Sequence, residues 1–263
     1  MGGDIIAIIP ARMGSSRFPG KPMALLQGIP MIGHVYLRTR MCPLLTETYV
    51  ATCDREIFDY IAGIGGQAVM TADTHERASD RTAEALLKIE AATGRRGDIA
   101  VMVQGDEPMV TPGMLEQALV PLLADSSLKI VNLMAPIRTT REFEDVNEVK
   151  VVVDLNGRAL YFSREPIPSR KKGVAEVPML RQLGLILFRR DFLLKFNSLP
   201  PTPLEQIESV DMLRLLEHGE RVQMVLTEME TLGVDTPEDL QVANAMMEDD
   251  PLMQHYAQLA AKV

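Results

Sequence analysis

The sequence has no tryptophan and only two cysteines, Cys42 and Cys53, in 263 residues. Neither cysteine belongs to a Cys-x-x-Cys pair, so neither a disulfide framework nor a zinc knuckle is expected. Such usage fits a reducing cytoplasm. Long apolar runs are missing too: nothing approaches the roughly 18 residues of a membrane span. Residues 5–9 are apolar, but no basic flank precedes them, and Pro10 and Arg12 follow at once, unlike a secretory leader. Positive charge is the minority sign, with 27 Lys and Arg against 36 Asp and Glu and a net charge of −9. That balance argues against a nucleic-acid duplex as partner, which needs a basic surface. A small anion is not excluded, because a local cluster of Arg and Lys suffices for it. His34, His75, His218 and His255 show no metal-ligand spacing. The absence of Gly-x-Ser-x-Gly and of Gly-x-Gly-x-x-Gly leaves a serine hydrolase elbow and a nicotinamide site unsupported.

What is present is a pattern of short apolar runs alternating with helical periodicity. Residues 5–9, 48–52, 67–70 and 99–103 read as strands. Residues 31–40, 56–64, 79–90 and 112–123 read as helices, the third with a Ser-Asp-Arg-Thr start that offers an N-cap. Strands alternating with helices predict a doubly wound, mostly parallel α/β sheet. The middle of the chain differs. Residues 129–135, 149–154 and 159–163 read as strands, and Asn156-Gly157 between the last two is a hairpin signal. A smaller mixed or antiparallel extension is therefore expected over about 129–188, with a basic loop at residues 170–173. Helices at 191–196 and 204–217, a strand at 222–226 and a helix at 237–247 follow. The whole reads as one domain over residues 1–250, with a tail over 251–263 that could form a short amphipathic helix.

Three segments suggest chemistry. PARMGSSRFPGKP, residues 10–22, follows the first strand, where ligands of open α/β sheets bind. Its glycines let backbone amides approach phosphate oxygens, and Arg12, Arg17 and Lys21 can neutralise them. It is not a Walker A loop, because Pro22 stands where that motif needs Ser or Thr. VQGDEP, residues 103–108, also lies at a strand end, and Asp106 there can hold a divalent cation. GVDTPEDL, residues 233–240, combines a helix start (Thr236 as N-cap, Pro237 at the first position) with Asp235 just before it. Each segment by itself also fits an ordinary exposed turn.

Together with VATCD, ALYFSR and RRDFLLKFNSLPPTPLEQIES, these segments occur in order from about residue 6 to residue 240. In that order the chain resembles the nucleotidyltransferases that activate 3-deoxy-manno-octulosonate (Kdo) as its CMP derivative. The resemblance implies a fold of the nucleotide-diphospho-sugar transferase type, a dimerisation extension and a homodimer. It implies CTP and a small anionic acceptor as substrates and Mg2+ as cofactor. By matching position, Arg12 and Lys21 would meet the CTP phosphates. Pro10, Ala11, Ser15, Gln104 and the stretch containing Ala78, Ser79 and Arg81 would line the nucleotide, and Asp106 and Asp235 would hold the metal. Ala78 and Ser79 stand where the family usually has Gly and Thr.

On the acceptor side the resemblance assigns Arg17, Arg164, Gln182, Ile186, Asp211 and Met212. Gln182 and Ile186 replace a His and a Tyr of the family, and Asp211 and Met212 replace a Glu and a Gln. Because these substitutions remove polarity, the reading expects Kdo itself to be a poor acceptor. Two other readings stay open at this point: cytidylyl transfer to a non-sugar anion such as a phosphonate, and a non-catalytic nucleotide-binding protein with the same fold.

Overall fold

The computed structural model describes residues 3–14, 17–171 and 176–260. In chain order the elements are β1 (Asp4–Ala11), β2 (Leu25–Leu26), β3 (Ile29–Pro30), α1 (Met31–Arg40), β4 (Glu47–Thr52), α2 (Arg55–Gly63), β5 (Ala68–Met70), α3 (Ala78–Thr93), β6 (Gly97–Val103) and α4 (Pro112–Ala124). They continue with β7 (Ile130–Pro136), α5 (Thr140–Glu144), β8 (Lys150–Val153), β9 (Ala159–Ser163), β10 (Leu180–Arg189), α6 (Arg190–Ser198), α7 (Pro203–Glu208), α8 (Met212–Glu217), β11 (Gln223–Leu226), α9 (Pro237–Met246) and α10 (Met253–Ala260). The chain divides into two compact units. One comprises residues 1–116 and 230–263, the other residues 117–229. Among the described residues no helix is long and apolar enough to cross a membrane.

In the first unit β1 is flanked by β6 and β4, and β5 follows β4, all parallel. The seven residues of β1 after Asp4 are all buried, which is why its sequence is continuously apolar instead of alternating. The short β2–β3 hairpin, unread from the sequence, turns on Gln27 and Gly28, both with positive φ (47° and 79°). That is the left-handed pair a tight two-residue hairpin requires. The Ser-Asp-Arg-Thr start expected for α3 is corrected: the helix begins earlier, Arg77 stands at its N-cap position and makes no side-chain capping bond, and Ser79 is buried within the first turn. The C-terminal segment returns to this unit. Val234, Ala243 and Met247 join Leu26, Met31 and Met109 in one apolar cluster. The expected tail helix is α10.

In the second unit β7 lies between β11, which is parallel to it, and β10, which is antiparallel. β8 pairs with β9 and touches β10 at Lys150. The Asn156-Gly157 signal does mark the β8–β9 connection. The loop is longer than two residues, closed by Asp154 Oδ1 accepting from the amides of Asn156 (2.7 Å) and Arg158 (2.9 Å). The ten-residue β10 was missed as a strand. A bulge between Gln182 and Ile186 breaks its alternation, and Asn132 on β7 fills that bulge. Its side-chain amide donates to Leu183 O (2.9 Å) and Leu185 O (3.0 Å), and its Oδ1 accepts from Gln182 Nε2 at 2.7 Å. The helix expected over 204–217 is two helices, split at Ser209, whose φ of 53° ends α7. Lys172 and Gly173 of the basic loop lie outside the described residues.

Candidate nucleotide and metal site

The loop after β1 is folded back on itself. Gly20 N donates to Met13 O (3.0 Å), with Gly20 at φ 74°, and Met13 N donates to Asp54 Oδ2 (2.8 Å). Lys21 then opens a single 3-10 turn in which Pro22 is buried. Pro10 and Ala11 form the buried end of β1. The turn after β6 comes so close to them that a Cβ at Gly105 would stand 3.0 Å from Pro10 O. A side chain there would push the turn away, so glycine permits the approach. Ser15 lies outside the described residues.

Asp106 sits in that turn, within the bond from Glu107 N to Gln104 O (3.2 Å). Its own carbonyl accepts from Val234 N at 2.9 Å, which fastens the segment before α9 beside it. Asp239 then fixes the backbone of Asp235, its Oδ2 accepting from Asp235 N (3.0 Å) and Thr236 N (2.8 Å), while Asp239 N donates to Thr236 Oγ1. The predicted cap at Thr236 is thus a complete capping box. Two residues 129 positions apart in sequence consequently face the same cation: Lys21 Nζ donates to Asp106 Oδ2 at 2.8 Å and to Asp235 Oδ1 at 3.1 Å. Burial disfavours the Lys21 ammonium, but the two carboxylates outweigh burial and hold its pKa above the ordinary lysine value. Arg17 adds a second cation, Nη2 to Asp235 Oδ1 at 3.1 Å. The ammonium is a stand-in ion. Two carboxylates already sharing one positive charge have the donor chemistry for a divalent cation that also binds phosphate oxygens. Among the described residues no cluster of three or more His, Cys, Asp and Glu forms.

The remaining nucleotide residues divide by exposure. Arg12 is exposed, with Nη1 donating to His75 O at 3.3 Å, and Gln104 and Ala78 are half-buried. Ser79 and Arg81 are not presented outward. Arg81 is 3% exposed and its guanidinium donates to Thr71 Oγ1 and Ala72 O. It supports the segment carrying His75 and is not itself at the surface. Glu84, unread from the sequence, secures the same segment by accepting from Ala72 N (2.9 Å) and pairing with His75. Burial opposes its charge, but Lys88, Ala72 and His75 together bring its pKa down to about 2.

Of the expected acceptor residues, Arg164, Gln182, Ile186, Asp211 and Met212 lie in the second unit. Arg164 donates to the carbonyls of Glu208 (2.7 Å), Val146 (2.8 Å) and Ser209 (3.3 Å), so its guanidinium organises the end of α7. Ile186 and Met212 are 3% and 0% exposed. Their side chains are packed in the core, away from solvent. Gln182 is half-buried, with one amide donor spent on Asn132, and Asp211 begins α8 without a side-chain cap bond. Two charged residues that the sequence reading missed hold this region. Glu208 accepts from Tyr161, Ser163 and the Arg164 amide, and buried Lys150 donates to the carbonyls of Asp145, Glu148 and Arg164.

Comparison with known proteins places the chain in a family. Residues 6–222 match the family model described as cytidylyltransferase. The 3-deoxy-manno-octulosonate cytidylyltransferase of Trichlorobacter lovleyi is 45% identical over 254 residues, covering 93% of this chain and 98% of that protein. The protein of the same name from Geobacter metallireducens is 45% identical over 246 residues, covering 90% of this chain and 94% of its own length. A solved structure of CMP:2-keto-3-deoxy-manno-octonic acid synthetase complexed with CTP superposes with a TM-score of 0.85 at 37% identity, covering 93% of this chain and 98% of its own. A 4-diphosphocytidyl-2C-methyl-D-erythritol synthase from Anaerococcus prevotii shares the fold at a TM-score of 0.61 and 15% identity. The chain is an enzyme of the nucleotidyltransferase class and belongs to the cytidylyltransferase family, within its 3-deoxy-manno-octulosonate cytidylyltransferase group.

Proposed function

We propose that this chain transfers CMP from CTP to the anomeric hydroxyl of 3-deoxy-manno-octulosonate or a closely related 3-deoxy-ulosonic acid, releasing pyrophosphate. The observation that carries the proposal is the convergence of Asp106 and Asp235 on Lys21, beside the folded loop after β1. The names and the CTP complex of the similar proteins support the choice of nucleotide and acceptor.

The hydroxyl oxygen bonds to the α-phosphorus, the bond from that phosphorus to the bridging oxygen breaks, and pyrophosphate leaves with the electron pair. The hydroxyl proton passes to solvent. Such a displacement depends on positioning and charge neutralisation, not on a covalent nucleophile. Arg12, Arg17 and Lys21 supply the positive charge that the triphosphate needs. Asp106 and Asp235 would hold a divalent cation, magnesium in this proposal, which when bound neutralises phosphate charge and favours the ionised form of the attacking hydroxyl. We further propose a homodimer working in the cytoplasm.

The test is pyrophosphate release with CTP, magnesium and an acceptor panel containing 3-deoxy-manno-octulosonate, related ulosonic acids and a phosphonate. Release with ulosonic acids alone is the expected result. Release with only the phosphonate, or with none of the panel, rejects the acceptor class. In parallel, CTP with magnesium should raise the thermal midpoint, and ATP or GTP far less. A ligand at about a hundred times its dissociation constant adds roughly 2.7 kcal/mol to apparent stability. Equal shifts with all three nucleotides reject the cytidylyl assignment.

A further inference from the structure

Between α1 and the C-terminal segment lies a buried polar network that the proposed chemistry does not use. Its centre is Arg38, 2% exposed. Nε donates to Val110 O at 2.7 Å and Nη2 reaches Met109 O at 3.5 Å. Nη1 donates to Asp250 and to the Tyr256 hydroxyl (3.4 Å), both in the C-terminal segment. The hydroxyl in turn lies 2.8 Å from His34 Nδ1, and His34 Nε2 lies 2.8 Å from Leu26 O. A carbonyl can only accept, so His34 carries its proton on Nε2 and Tyr256 donates to Nδ1. Tyr256 therefore has one donor and one acceptor role, both filled, and the bonds run in one direction from Arg38 through Tyr256 and His34 to Leu26.

The carbonyls that Arg38 grips end the turn that presents Asp106. The two successive turn bonds, Glu107 N to Gln104 O (3.2 Å) and Val110 N to Glu107 O (3.1 Å), span residues 104–110. β6 holds the entry to this turn and Arg38 holds its exit. Asp106 also carries the bond from Val234 N, so a shift of the turn displaces both carboxylates together. A bare pair of carbonyls at residues 109 and 110 would need other donors in a site closed to water.

We infer that Arg38 is a positioning residue for cytidylyl transfer: it sets the Asp106 turn so that Asp106 and Asp235 hold a divalent cation against the triphosphate, and the C-terminal segment, through Asp250 just before α10 and Tyr256 on it, sets Arg38. The inference rests on the metal role given above to Asp106 and Asp235.

The experiment compares Arg38→Met, Arg38→Lys, Asp250→Asn and Tyr256→Phe with the parent protein, each below its own thermal midpoint. Two quantities are read. One is calorimetric affinity for CTP with and without magnesium, which needs no acceptor. The other is the magnesium concentration at half-maximal turnover, with kcat and KM for the acceptor. Removing a group that orients a metal ligand typically costs about 10- to 100-fold in metal affinity or activity. That loss is expected for Arg38→Met, in the magnesium-dependent part of CTP binding and in kcat, with metal-free CTP affinity and acceptor KM unchanged. Arg38→Lys should recover part of it, and Tyr256→Phe and Asp250→Asn should show it in smaller measure. A lowered thermal midpoint with unchanged magnesium dependence would reduce Arg38 to a structural residue and overturn the inference. Should Arg38→Met fail to fold, unchanged magnesium dependence in both tail variants overturns it as well. If the parent binds CTP equally with and without magnesium, the metal role of the carboxylates fails instead. If only turnover is missing, the acceptor is wrong, and calorimetry still decides the positioning role.

Discussion

At the scale of single residues, Lys21 occupies the point where two carboxylates converge, with an 11% exposed side chain. Two carboxylates converging on one point hold a divalent cation there only while both carry their charge. Asp106→Asn and Asp235→Asn should therefore each abolish turnover while leaving the thermal midpoint near that of the parent, since a metal's charge stabilisation is worth several kcal/mol. Pyrophosphate release at saturating magnesium and a melting curve check this. Near-native turnover in either variant would remove that residue from the site. The two acids stood out in the sequence because each lies next to a strand end or helix start inside a distinctive local string, and Lys21 because it lies in the PARMGSSRFPGKP loop. Arg81 and Arg164 were placed correctly in the chain but not in their contacts. Their guanidinium groups serve backbone carbonyls and a hydroxyl on neighbouring loops, and no local pattern reports such partners. The bond from Gln182 to Asn132, 50 residues apart, was equally invisible.

At the scale of elements, β1 and β6 were read well because burial on both faces leaves a near-continuous apolar run. β10 was missed because its bulge interrupts the alternation, and the break between α7 and α8 because a serine, not a glycine, takes the left-handed position. That break places buried Glu205 and Arg214 opposite one another as a two-bond ion pair, 2.8 and 2.7 Å, at 1% and 5% exposure. Arg214→Met should destabilise the protein by about 3–5 kcal/mol, because it strands a buried carboxylate. A denaturant titration measures the loss, and a change below about 1 kcal/mol would show that Glu205 finds water or another donor.

The contact between α1 and α10 depends on pH through His34. Burial pushes the His34 pKa down to about 4, despite its bond to Leu26 O, from an ordinary value of 6.5. The unfolded chain thus binds a proton between pH 6.5 and 4 that the native protein refuses. Stability is full above pH 6.5 and is lost as the pH falls toward 4. The loss over the whole window is of order 3 kcal/mol. Carboxylates also titrate near the lower end, so the measurement is a difference. Urea midpoints of the parent should fall more steeply from pH 7 to about 4.5 than those of His34→Gln, whose amide does not titrate. Parallel slopes would contradict the assignment.

At the scale of the whole molecule, the second unit offers surface suited to the proposed self-association. Leu155, Leu160 and Ile207 are strongly exposed, and Leu226 is exposed to a lesser degree. Single exposed apolar residues need no explanation, but here Leu155 and Leu160 belong to one hairpin. β9, which carries Leu160, has β8 as its one ladder partner among the described residues; on its other edge only its first residue is bonded, Ala159 N to Val222 O at 2.9 Å beside a bridge from Arg158 to Gln223 of β11, and Leu160–Ser163 have no strand there. A strand left at an edge presents backbone donors and acceptors to another chain, and natural proteins usually cover or charge such an edge. The β8–β9 hairpin instead presents leucines. Covering it with the same hairpin of a second copy would bury apolar area on both partners through a symmetric contact, the commonest arrangement in homodimers. Light scattering at micromolar concentration should therefore report twice the chain mass of 29.1 kDa. Leu155→Asp together with Leu160→Lys should shift the mass toward one chain without lowering the metal-dependent CTP affinity of the first unit. A monomeric parent would reject the dimer. A dimer that survives both substitutions would place the interface elsewhere on the surface, away from β9.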